Sequence, residues 1–144
     1  MKTGRYNVAV GLFVMAAFMA YGFLLIYLRD FAPDKEAWVA SYSQGKHFEA
    51  RLAHVHGALF ATLNVALGFV LAKLDTASDK ARSAAAALGI GGLLMPLGIL
   101  GEVYLGLSPV FVLLGAIAMT ASVVASGVLS LRHWGEGSTS KGTP

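Results

Sequence analysis

Cysteine is absent from this chain, which excludes disulfides, thiolate metal sites and cysteine nucleophiles. Charge is scarce as well. Asp, Glu, Lys and Arg make up 13% of the 144 residues, against roughly a quarter in a water-facing globular domain. There is no phosphate-binding loop, no dinucleotide fingerprint, no ordered Ser/His/Asp set and no covalent haem-attachment motif. The formal charge is +3, but no basic stripe or aromatic interleaving accompanies it, so nucleic acid is not an expected partner. Lysine and arginine flanking membrane spans account for the excess. Proline is rare too, and three of its four occurrences, Pro33, Pro96 and Pro109, fall where a helix should start or bend.

What is abundant is apolar surface, with 56% hydrophobic residues and a mean hydropathy of +0.66. The charges cluster in the first residues, at 29–51, at 73–82 and near the C-terminus. Between them lie four runs at 8–28, 53–74, 84–105 and 109–131, each near the ~20 residues that cross hydrocarbon. They predict an all-α integral membrane four-helix bundle, up-down-up-down, as a single four-span domain over residues 1–134. Residues 135–144, rich in Gly, Ser and Thr, read as a disordered tail. In the connection after the first run, Pro33 followed by Asp34 and Glu36 marks a helix start. Trp38 and Tyr42 then lie four apart on one face, so a short amphipathic helix at the membrane surface is expected, ended by Gly45. Pro96 should kink the third span. Ala118, Ser122 and Ser126 make a small-residue face on the fourth.

Orientation follows from lysine and arginine on alternate sides. The head, the second connection and the tail carry seven: Lys2, Arg5, Lys73, Lys80, Arg82, Arg132 and Lys141. The first connection carries four: Arg29, Lys35, Lys46 and Arg51. Both termini are therefore expected to be cytoplasmic. The second span then descends from the outer side with His54 and His56 in its outer half, and the third rises to the same side, bringing Glu102 and Tyr104. Ionisable groups at such depths are functional candidates.

The stretch around residues 51–57 holds the sharpest of these candidates. His54 and His56, two apart on a helix, point roughly 200° from each other, so they cannot chelate one ion together. His54 shares a small, polar stripe with Gly57, Ala61, Asn64 and Gly68, and His47 and Arg51 extend that line outward. That makes His54 the candidate for an inward site and His56 its competitor. Zinc wants three or four protein ligands, whereas haem needs only one axial imidazole. Glycines such as Gly57 leave room for a planar macrocycle, and equally for close helix packing.

The layout resembles the styrene oxide isomerase family of small bacterial membrane proteins. The likeness lies in an early span, a polar connection, an arginine (Arg51) shortly before Ala53-His54, a turn with Asp79-Lys80-Ala81-Arg82, and two further spans. The resemblance implies a trimeric four-helix bundle in the bacterial inner membrane that holds haem b through a second-span histidine, here His54, and isomerises aryl epoxides. The family's asparagine six residues after its histidine falls on Phe60, with Asn64 ten residues on, and Tyr104 is the nearest counterpart of its third-span tyrosine. On this reading His54, His56, Arg51 and Gly57 surround the cofactor, with Arg51 on a propionate. Tyr104, Asn64 and Glu102 line the substrate side. Whether the protein isomerises, transfers electrons or senses a ligand is left open. The competing expectation is a non-enzymatic accessory or assembly subunit whose polar residues contact a larger membrane complex.

Overall fold

The computed structural model describes residues 3–133. Six helices and no strands make up the regular structure among the described residues: α1 (Arg5–Asp30), α2 (Lys35–Ala40), α3 (Lys46–Lys73), α4 (Asp79–Gly92), α5 (Leu94–Leu105) and α6 (Val110–His133). Four stretches are long and apolar enough to cross a membrane: α1, α3, α4 with α5, and α6. The tail expected to be disordered, 135–144, lies outside the described residues, as do Lys2 and Trp134. Three helices begin earlier than the apolar runs predict. α1 starts at Arg5, α3 takes in the polar residues from Lys46 onward, and α4 starts at Asp79. Membrane length is thus a lower bound on helix length here, because a helix continues into polar sequence until something breaks it.

α1 packs chiefly on α3, α4 on α6, and α5 on both α3 and α6. The α1–α3 contact explains the stripe seen in sequence. Gly57, Ala61, Asn64 and Gly68 are all buried, facing Phe18 and Gly11 of α1, its own buried positions together with Asn7. A side chain at Gly57 would overlap the Phe18 ring. On α6, Ser122 and Ser126 are buried together with Gly115 and Met119, so the small-residue face is the packed one.

The third apolar stretch does break, three residues before its proline. Pro96 has no N–H to offer Gly92, and the chain tightens ahead of it. The Leu93 N–H turns to the Ile90 carbonyl at 3.0 Å, and the helix resumes at Leu94. The Gly89 carbonyl thereby loses the N–H that would close its turn. Asn64 supplies the replacement, its Nδ2 donating to that oxygen at 2.8 Å and to Phe60 O at 3.0 Å. Asn7 Nδ2 in turn donates to Asn64 Oδ1 (3.0 Å) and Ala86 O (2.8 Å), and the Ser122 hydroxyl donates to Ala85 O (2.7 Å). This knot ties α1, α3, α4 and α6 at the centre of the bundle, with Asn64 0% and Asn7 1% exposed. It is the repair that an apolar setting demands wherever a helix is interrupted.

At the far end of α5, Gly106 takes φ +66°. The Leu107 N–H folds back onto Gly101 O at 3.1 Å, a Schellman-type stop that glycine permits without strain. The short connection to α6 follows, where the Leu113 N–H closes on Pro109 O.

Candidate functional site

α2 is shorter than the run from Pro33 to Gly45 predicts. It ends at Ala40 because Ser41 turns back on Trp38, donating both its N–H (3.2 Å) and its hydroxyl (2.9 Å) to that carbonyl. Tyr42 therefore lies beyond the helix, yet it still meets the same partner as Trp38. That partner is His47 in the first turn of α3. The imidazole stacks on the Trp38 indole with centroids 4.5 Å apart and takes the Tyr42 ring edge-on at 5.2 Å. Its Nδ1 lies 2.8 Å from Trp38 O. One turn on, the Arg51 guanidinium sits over the other face of this aromatic cluster, 3.7 Å from the Tyr42 ring centroid, and donates to Tyr42 O at 3.3 Å.

Beneath this cluster, between α1 and α3, lies a cavity of about 440 Å³. Met19, Phe23, Leu25 and Ile26 of α1 give it an apolar wall, and Gly22 lets that wall come close. Arg29, Arg51, His47 and His54 bring every polar side chain but the Tyr42 hydroxyl. Arg29 is held by Asp30 through two hydrogen bonds of 2.9 and 2.7 Å, whereas Arg51 makes a single donation within the described chain. Two guanidiniums and two imidazoles thus face an apolar wall across one cavity. Such a site suits a ligand with a flat or elongated hydrophobic body and one anionic end.

His54 is half-buried at the inner end of the cavity. A Cβ on Gly22 would lie 2.8 Å from its Cε1, so this glycine is what lets the imidazole occupy the helix–helix seam. Neither ring nitrogen has a hydrogen-bond partner among the described residues, and Nδ1 is sealed in the packing. On its other side stands Tyr21, 6.3 Å away between ring centroids. The Tyr21 hydroxyl shares a 3.0 Å hydrogen bond with that of Tyr104. Tyr104 of α5 is thereby linked to His54 through Tyr21, a residue that nothing in the sequence singles out.

The remaining candidates separate. His56 points away from the cavity, with Nδ1 2.9 Å from Leu52 O and its ring against Phe60. Glu102 is exposed, and its side chain makes no hydrogen bond or ion pair within the described chain. Asn64, expected on the substrate side, lies ten residues or ~15 Å along α3 from His54 and is fully engaged in the central knot. Gly57, which left room for either a macrocycle or close helix packing, lies against the Phe18 ring. Among the described residues, no three His, Asp or Glu side chains gather in a metal-binding group.

Sequence reasoning missed Tyr21 and undervalued His47. The signal for His47 was present: it stands seven residues before His54, two turns along the same face. Nothing local joins it to Trp38 and Tyr42. No protein-family model, no curated protein and no solved structure matches this chain.

Proposed function

We propose that this is a membrane-spanning haem b protein whose cofactor occupies the α1–α3 cavity, held by an imidazole of α3 and, at its propionates, by Arg51 with Arg29. One observation carries the reading: unpartnered imidazole nitrogens and two guanidiniums line the same apolar cavity. The volume lies within the roughly 300–1,000 Å³ of ordinary cofactor pockets, and the donor set matches the cofactor part by part. Met19, Phe23, Leu25 and Ile26 would face the macrocycle. Guanidinium forks match carboxylates in geometry. Bound haem supplies an iron that acts as Lewis acid or electron carrier. Around it the chain's own residues would neutralise the propionates and present the Tyr21–Tyr104 hydroxyl pair behind His54. The sequence resemblance names His54 as the ligand. Epoxide isomerisation is not part of the proposal, because Asn64, the one asparagine on α3, is committed to the fold.

In this reading the four spans alternate in direction across the bilayer of a bacterial inner membrane, with both termini cytoplasmic. α2 then lies at the outer surface with Trp38 and Tyr42 at headgroup level, and the cavity opens there, shielded from the cytoplasm. Copies would associate as trimers. Purified in detergent with haem added, the protein should show a Soret band that shifts on reduction. Arg51→Ala should weaken haem retention about 10- to 100-fold, the value of a hydrogen bond to a charged group, measured by transfer of haem to apomyoglobin. A wild-type protein that takes up no haem would remove this reading. If it then copurifies with a larger membrane complex, the accessory-subunit reading takes its place.

A further inference from the structure

We propose that His47, rather than His54, is the imidazole that coordinates iron in this cavity, an inference that rests on the haem reading above. A metal-bound histidine gives up the lone pair of one ring nitrogen. It is held in that tautomer by donating the other N–H to a carbonyl or carboxylate. The three histidines of α3 differ sharply on this criterion.

His47 meets it. A carbonyl oxygen only accepts, so the 2.8 Å contact with Trp38 O places a proton on Nδ1. In the neutral ring the lone pair is then on Nε2, which has no partner among the described residues and is not sealed in the packing. His47 is 3% exposed, and its ring is clamped between Trp38 and Tyr42 and lines the cavity. Its orientation is thus set before any ligand arrives, which removes the ordering cost of binding.

His54 lines the cavity but fails the test. Coordination through Nδ1 is blocked, because that atom is buried in the seam. Coordination through Nε2 would move the proton to Nδ1 and leave a buried N–H with no acceptor, the kind of orphan folded proteins avoid. With its proton on Nε2 instead, His54 is a donor facing the cavity, suited to hydrogen-bond what shares the space with the cofactor. His56 has the right tautomer, with Nδ1–H on Leu52 O, but stands outside the cavity. Only His47 combines the fixed tautomer with the position.

The test is the absorption spectrum of detergent-purified protein after haem addition, for wild type, H47A, H54A, H47G and H54G, with and without added imidazole. The expected result is loss of the Soret band in H47A, retention in H54A, and recovery in H47G when imidazole fills the vacated place. If both alanine variants lose the band, the glycine pair decides. Recovery by imidazole in H47G alone supports His47, and recovery in H54G, or none in H47G, overturns it. Retention in H47A overturns it outright. Failure of the haem reading looks different, since wild type itself would then show no band.

Discussion

Asn64→Leu should be among the most damaging single substitutions in the chain, costing about 2–4 kcal/mol at roughly 1–3 kcal/mol for each buried polar group left without a partner. Leucine keeps the volume, so packing loss is small. What it strands is polar. The Gly89 carbonyl has already given up its helical N–H to the break at Leu93, and Asn64 Nδ2 is its replacement. Asn7 Nδ2 loses Asn64 Oδ1 as an acceptor, though it keeps Ala86 O. Hydrogen bonds between membrane helices average nearer ~0.6 kcal/mol, because the separated helices also find partners. Here the stranded groups belong to buried residues, Gly89 and Asn7, away from water that could substitute, which sets the expectation above that average. Unfolding by SDS titration in mixed micelles, followed by circular dichroism, measures it. Asn7→Leu, which leaves Gly89 satisfied, should cost clearly less. Equal costs, or a change below half a kcal/mol for Asn64→Leu, would mean the knot does not hold the bundle.

The same residue shows how far the sequence could be read. Four runs of apolar residues, set apart by charge or, between the last two, by the uncharged turn at Gly106 and Pro109, announce four long helices, because hydrocarbon thickness and helical rise leave little choice. Pro96 announces a break and Pro109 a start, since both follow from proline's missing N–H. The stripe Gly57, Ala61, Asn64, Gly68 announces a packed face from its period alone. Side chains whose partners come from other helices were a different matter. Asn64 looks like a pocket residue until Gly89 is known to be an orphan, and that depends on a break in another helix. Asn7, one residue before the first apolar run, gives no sign of being buried. Gly57 advertises space without saying that Phe18 fills it. His47 reads as an outward extension of the His54 stripe, with no aromatic partners, until the turn at Ser41 folds Trp38 and Tyr42 over it. Local chemistry fixes which segments are helices, whereas the site is made by which helices meet and in what register.

Gly57→Leu should separate α1 from α3, with a cost of about 1–3 kcal/mol from overpacking and loss of cavity ligand binding alongside. Even the first carbon of a side chain there overlaps the Phe18 ring. Phe18 is buried, so its ring has no free space to rotate into. α1 can yield only by moving as a unit, because its inner face is pinned elsewhere by Gly11 against α3 and by Asn7 in the knot. Moving it opens the seam where Gly22 lies against His54 and shifts the wall of Met19, Phe23 and Ile26 away from Arg51. The effect on the cavity is therefore indirect, and a second substitution can prove it. Phe18→Ala alone leaves a void and should destabilise by about 3–5 kcal/mol at full burial, less where lipid or neighbours fill the gap. Combined with Gly57→Leu, the new side chain enters the space the ring vacated. The double variant should then be more stable than the sum of the singles by about 1–3 kcal/mol, the coupling typical of residues in contact, and should regain haem retention. Additive costs would show that Gly57 and Phe18 act separately and that the α1–α3 seam does not govern the cavity.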